Sequence, residues 1–172
     1  MVLWHIENNA EKGRRQDTGL IDESLIENKI SASVIDAAIE VHSVLGGPGL
    51  LESIYEDALA YELELRNIPF KRQLPVPVLY KGVPVRDALR LDLLVDDRVI
   101  VEVKATDKVH PAQVLTYLRL SQRKLGLVLN FGQSLLRDGI SRVVNNFLPS
   151  PRLPVSAYKF LDLGKNNGCS SR

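Results

Sequence analysis

The pattern of apolar residues along this 172-residue chain predicts an α/β fold, a mixed sheet flanked by helices. Two observations carry the prediction. Apolar positions recur at helical spacing as far as residue 66 and then alternate at strand spacing, with one return to helical spacing near residue 112. The resulting order, α-α-β-β-β-α-β, is an antiparallel meander followed by a crossover helix and a further strand. Composition agrees: 45% of residues are apolar and 25% charged, as in ordinary globular domains. A chain of this length hides enough surface to build one core without staples.

Each element has a local reason. Residues 1–20 are polar and read as a loose arm before a domain spanning 21–148. Ile30, Val34, Ala38, Val41 and Leu45 define one face of a helix over 21–45, ended by Gly46-Gly47-Pro48-Gly49. A second helix over 50–66 is expected to bury Leu51, Ile54, Ala58, Tyr61 and Leu65 and to stop at Asn67-Ile68-Pro69. Residues 74–80 read as a strand pushed toward a sheet edge by Pro75 and Pro77. Lys81-Gly82 is a turn. Residues 88–95 and 99–105 form a hairpin around Asp96-Asp97-Arg98. Pro111 opens a helix to about Gln122, with Val114, Leu115 and Leu118 as anchors. Residues 126–131 are a short buried strand, 139–148 one more short element, and 149–172 an extended tail.

Composition excludes several classes. One cysteine, Cys169, gives no internal disulfide and no Cys-rich zinc site, and His5, His42 and His110 lack metal-ligand spacing. No apolar run approaches a membrane span, and the start has no signal-peptide pattern, so a reducing cytoplasm is the expected compartment and no membrane partner is expected. The net charge of +1 hides an asymmetry of −9 over residues 1–65 and +10 over 66–172. A positive side of that kind attracts polyanions through counterion release. On charge alone, chance segregation of solvated charge is the simpler explanation.

The chemistry concentrates between Arg90 and Lys104. If Asp96-Asp97-Arg98 is a three-residue loop, Val95 faces Val99, Asp92 faces Glu102 and Arg90 faces Lys104. Facing side chains share one side of the sheet. Two carboxylates so placed repel, and the pairing makes sense with a divalent cation between them. A two-residue loop would send Asp92 to the other face. Mg²⁺ takes one or two carboxylates together with waters and phosphate oxygens, and Lys104 would orient water or offset charge on phosphorus. The competing explanation is an edge hairpin with its polar face in solvent. Glu52 starts the second helix, and Glu56 follows one turn on. An acidic first turn offsets the helix dipole without any catalytic role. Gln113 and Tyr117 share a face of the third helix, where the glutamine could bind phosphate, water or a base edge, or simply face solvent.

Together these segments resemble a small prokaryotic family named for its GxxExxY signature, here Gly49-Leu50-Leu51-Glu52-Ser53-Ile54-Tyr55. The likeness continues through Tyr80-Lys81-Gly82, Leu91-Asp92-Leu93-Leu94-Val95, Val101-Glu102-Val103-Lys104-Ala105, Gln113–Leu118 and Gly126–Gly132, about residues 30–146. That family is placed in the PD-(D/E)XK nuclease superfamily, which implies a restriction-endonuclease-like core. The resemblance assigns Asp92 to the PD half, Glu102 and Lys104 to the (D/E)XK half, and Glu52 to the helical glutamate. Gln113 and Tyr117 match the glutamine and tyrosine of RecB-like members. Leu91 replaces the superfamily's proline, which is not a ligand. The implied function is an Mg²⁺- or Mn²⁺-dependent nuclease acting on nucleic acid, with DNA the expected substrate. Asp92, Glu102 and Glu52 would hold the metal, Lys104 and Gln113 would act on water or phosphate, and Tyr117 and Glu56 would be auxiliary. The alternative is a non-catalytic nucleic-acid-binding or protein-interaction module that keeps the fold. Near-neutral net charge and the lack of a basic recognition helix point to a weak binder, or to one helped by a second copy, as a homodimer, or by a protein partner.

Overall fold

A computed structural model describes residues 23–106 and 111–146, with side chains from residue 26. The expected arm at 1–20, the tail at 149–172, His110 and Cys169 lie outside the described residues. Helix α1 (Glu23–Val44) and helix α2 (Glu52–Leu65) come first. Strands β1 (Phe70–Tyr80), β2 (Val83–Val95) and β3 (Val99–Lys104) form the meander. Helix α3 (Ala112–Ser121) crosses to strand β4 (Leu125–Asn130), and a single 3-10 turn (Leu136–Gly139) leads to strand β5 (Ile140–Val144). The five strands form one sheet in sequence order, with β3 and β4 parallel and every other neighbour antiparallel. The α/β architecture is therefore the one predicted, and β1 is the edge strand that its prolines require.

Two apolar layers cover the sheet. α1 and α2 pack on one face through Val34, Ala37, Ala38, Tyr55, Leu59 and Leu63 against Leu93, Val101, Val103 and Leu127. On the other face, Val114, Tyr117 and Leu118 of α3 meet Leu91, Leu94, Ile100 and Val128. Gly126 lets α3 sit close, since a Cβ there would collide with Val114 Cγ1. β3 is buried on both faces between these layers, which accounts for its nearly unbroken run of β-branched residues.

The buried stripe expected on α2 is wrong. Tyr55, Glu56, Leu59, Ala60 and Leu63 face inward, while Leu51, Ile54, Tyr61 and Leu65 are exposed. Both stripes are apolar at helical spacing, and periodicity alone cannot choose between them. Tyr55 decides the matter: its ring stacks on Phe131 at 4.5 Å between centroids. Its hydroxyl donates to the Gly47 carbonyl (2.7 Å) and accepts from Leu50 N–H (3.2 Å). One side chain thus fixes the α1–α2 loop and the start of α2. His42, expected only to favour the end of α1, is buried with Nε2 2.9 Å from the Gln133 carbonyl oxygen.

Candidate metal centre

The expected hairpin register holds at its base and then stops. Val95 pairs with Val99, Leu94 with Ile100 and Leu93 with Val101, as a three-residue loop demands. Asp96 and Asp97 both take positive φ in that loop. Beyond Leu93 the strands no longer pair, and the Asp92 carboxylate itself accepts the Val103 N–H at 2.9 Å. Arg90 does not face Lys104 as expected; its backbone partner is Pro75 of β1.

The cause of the break is a change of face. Leu93 and Val95 belong to the α1/α2 layer, whereas Leu91 belongs to the α3 layer. Two residues apart on a regular strand, Leu91 and Leu93 would share a side. β1 changes face at the matching place, from Phe70 in one layer to Leu74 and Val76 in the other. At that place the β1–β2 ladder skips Gln73 and Asp92, and Gln73 has a φ of 51°. A left-handed conformation is costly for a residue with a Cβ. Here Glu56 offsets it, accepting from Gln73 Nε2 on both carboxylate oxygens (2.9 and 3.0 Å) and from the Arg72 guanidinium (3.0 and 3.2 Å). Glu56, taken from the sequence as an auxiliary site residue, is thus committed to the kink opposite Asp92.

Glu102 points to the α3 side with Ile100 and is only 2% exposed. Its Oε1 accepts from Lys104 Nζ (2.9 Å) and from Gln113 Nε2 (2.8 Å). Its Oε2 is buried and has no hydrogen-bond partner among the described residues. Lys104 Nζ also reaches Glu52 Oε1 at 3.2 Å, so one ammonium ties β3 to the first turn of α2. Gln113 divides its amide hydrogens between Glu102 and Tyr117 Oη (2.8 Å), and the Tyr117 hydroxyl donates to the Arg90 carbonyl (3.0 Å). The glutamine amide that the sequence offers to water, phosphate or a base edge is engaged in this arrangement by Glu102 and Tyr117.

Asn130 was not singled out from the sequence. It is 2% exposed, accepts from the N–H groups of Thr106 and Gly132 (3.1 Å each), and donates to the Thr106 carbonyl (2.8 Å). It pins the chain that leaves Lys104. An asparagine ending the apolar run Leu125–Asn130 was the available signal, because a buried amide needs partners.

The electrostatics follow from burial. Burial pushes Glu102 up to about 7, the Asp92 charge pushes the same way, and Lys104 opposes both. Asp92 is raised by burial, against the Val103 N–H and Lys104, which lower it. Burial works against the Lys104 charge, but its bonds to Glu102 and Glu52 and the charge of Asp92 outweigh that and raise it. Lys104 is thus a fixed cation at neutral pH. Tyr117 is raised, chiefly by burial.

Among the described residues no three His, Cys, Asp or Glu side chains form a ready-made metal cage. A pair of carboxylates is nevertheless the usual protein share of a magnesium site, where waters and phosphate complete the shell. The buried, unpartnered Glu102 Oε2 beside a second carboxylate fits a divalent cation, which would relieve both the missing bond and the repulsion. A family model described as PD-(D/E)XK nuclease superfamily matches residues 28–143. No curated protein and no solved structure matches the chain.

Proposed function

The chain belongs to the PD-(D/E)XK nuclease superfamily, and from that premise we propose that it is a metal-dependent phosphodiesterase that hydrolyses nucleic acid. Members of the superfamily generally depend on a divalent metal. The observation that carries the reading is Glu102: a buried carboxylate with one oxygen satisfied and the other open, beside Asp92 and under Lys104. Asp92 and Glu102 would hold Mg²⁺ or Mn²⁺, with Glu52 close by on α2. When bound, such an ion polarises the phosphate and eases deprotonation of water.

The chain's own residues supply the rest. Lys104, held protonated, offsets negative charge growing on the phosphate oxygens and orients the incoming water. Gln113 holds Glu102 through Oε1, leaving Oε2 free. Tyr117 holds Gln113 and the backbone at Arg90. Tyr55 sets the loop that places Glu52. Gly49, Glu52 and Tyr55 each have a structural role here, which supports the finer likeness to the prokaryotic GxxExxY family. Gly49 takes a φ of 111°. No helix among the described residues is long and apolar enough to cross a membrane, and a cytoplasmic enzyme remains part of the proposal.

The test joins metal binding to cutting. Calorimetry with Mg²⁺ and Mn²⁺ should give weaker binding for Asp92→Asn, which keeps an oxygen for Val103 N–H. Lys104→Ala should lower hydrolysis by roughly a hundredfold or more while keeping most nucleic-acid affinity. A wild-type chain that binds nucleic acid but never cuts with either metal would establish the non-catalytic module instead.

A further inference from the structure

The long β1–β2 hairpin does more than edge the sheet. Strand β3 pairs with β2 at Leu93–Val95, and among the described residues the rest of β2 pairs with β1 alone. Leu74, Val76, Leu89 and Leu91 still rest on α3. Beyond them, over residues 77–88, the two strands leave the body of the domain as a ribbon. All of Val83–Ala88 is exposed. β2 runs from the ribbon tip toward Asp92, so the ribbon projects from the end of the sheet that carries Asp92 and Lys104. At ~3.3 Å per residue along its shorter arm, Pro77–Tyr80 and the turn, it extends roughly 15 Å.

The tip is built to keep its shape. Lys81 (φ 51°) and Gly82 (φ 82°) form a two-residue turn with both φ values positive, the turn that matches the twist of a hairpin. Pro77 and Pro84 deny donors to any added strand. The surface has a distinct chemistry. Tyr80, Val83 and Val85 are 64%, 62% and 57% exposed. Lys81 lies over the Tyr80 ring, 5.5 Å from its centroid. Lys81, Arg86 and Arg90 make no ion pair among the described residues, whereas Arg66, Lys71, Arg72 and Lys104 are each matched to a carboxylate. Asp87 is the one acidic residue between Val76 and Leu91.

We propose that this ribbon is a grip for double-stranded DNA, seated in the major groove beside the bond to be cut. The reading rests on the phosphodiesterase assignment above and names the substrate class. Two paired strands stand ~4.8 Å apart, and with side chains they fit a groove ~12 Å wide that admits a two-stranded ribbon. The major groove of duplex RNA is too narrow to enter, and a single strand has no groove. Lys81, Arg86 and Arg90 would meet the phosphates along the walls. Tyr80, Val83 and Val85 would meet the groove floor, where thymine presents a methyl group.

The experiment compares the full chain with the Lys81→Ala/Arg86→Ala variant. Anisotropy titrations of a labelled DNA duplex, a DNA single strand and an RNA duplex are run in EDTA over a range of salt. Hydrolysis of bis(p-nitrophenyl) phosphate with Mn²⁺, too small to reach the ribbon, is measured alongside. The variant should lose about two units of salt slope on duplex DNA, and roughly tenfold in affinity. It should lose far less on the other two nucleic acids and hydrolyse the small ester unchanged. An unaltered slope on duplex DNA, or an equal loss on all three, overturns the grip. Absence of ester hydrolysis by the wild type counts against the phosphodiesterase reading alone, since the DNA titrations do not depend on it. A circular dichroism spectrum matching wild type shows that any loss is not unfolding.

Discussion

Strand β2 is two different strands joined at Asp92. Its inner half, Leu93–Val95, is 0–3% exposed and packed on both faces. Its outer half, Val83–Ala88, is exposed throughout and, among the described residues, paired with β1. The inner half takes its shape from the core; the outer half takes its shape from a turn and cross-strand pairs. The polar site lies where the two meet. A carboxylate there is backed by rigid structure on one side and reached from solvent on the other. The face change at Gln73 and Asp92 makes that junction, and the Glu56 cluster keeps it bent.

The most direct way to break this contrast is to cut back one residue in each half. Leu93 is fully buried in the α1/α2 layer, so Leu93→Ala should cost about 3 kcal/mol from lost burial and the remaining cavity. Val85→Ala should stay within about 0.5 kcal/mol, as for surface changes generally. Urea unfolding monitored by circular dichroism measures both. Equal costs would mean that the ribbon is covered by something and that the two halves do not differ.

A second change sharpens the electrostatic side of the junction. In the unfolded chain Glu102 titrates near its ordinary value of 4.5, whereas in the folded protein it stands at about 7. Between those values the native state keeps a proton that the unfolded state releases, so stability falls as pH rises from about 4.5 to 7. Glu102→Gln removes the charge and should stabilise the metal-free protein at pH 8 by something on the order of 2 kcal/mol. At pH 4, where both states hold the proton, the substitution should change little. Unfolding curves in EDTA at the two pH values give the difference. A gain that is the same at both would show that charge burial is not its cause.

Much of the fold was legible because its signals are local. The loop Asp96-Asp97-Arg98, the prolines of β1 and the Pro111 start of α3 each report on their own neighbourhood, whereas β1 begins at Phe70 and β2 at Val83, earlier than the expected 74 and 88, because prolines and charged residues mask strand alternation there. The three-residue loop fixes the register only as far as Leu93–Val101, so the expected pairing of Asp92 with Glu102 does not form, and Asp92 is tied to β3 through its own bond from Val103 N–H instead. The buried stripe of α2 was not legible, since Leu51, Ile54, Tyr61 and Leu65 compete with Tyr55, Leu59 and Leu63 at the same period. Only the ring of Phe131, 76 positions beyond Tyr55 in sequence, separates them. The kink was hidden for a similar reason. Gln73 is an unremarkable residue in a strand, and its positive φ depends on Glu56 in α2, which no local pattern reveals. The role of Gln113 depends likewise on Tyr117 reaching a carbonyl in β2.

That last contact gives a smaller effect than the loss of Leu93. Tyr117 is 4% exposed and its ring packs among the α3-side residues, so Tyr117→Phe keeps the apolar contacts and removes only the hydroxyl. Two hydrogen bonds go with it: one to the Arg90 carbonyl at the start of the junction, the other from Gln113. A hydrogen bond of this kind contributes about 1 kcal/mol net, and with two removed unfolding in urea should show a loss of roughly 1–2 kcal/mol. The effect should also be coupled. Gln113 then loses one of its two anchors and holds Glu102 less firmly, so ester hydrolysis should fall a few-fold with Mn²⁺. Adding Gln113→Ala to Tyr117→Phe should therefore cost less than the sum of the single changes, because the second substitution removes a bond already lost. Strict additivity in a double-mutant cycle would mean that Tyr117 and Gln113 act separately, and that the outer strand at Arg90 is not tied to the carboxylates through α3.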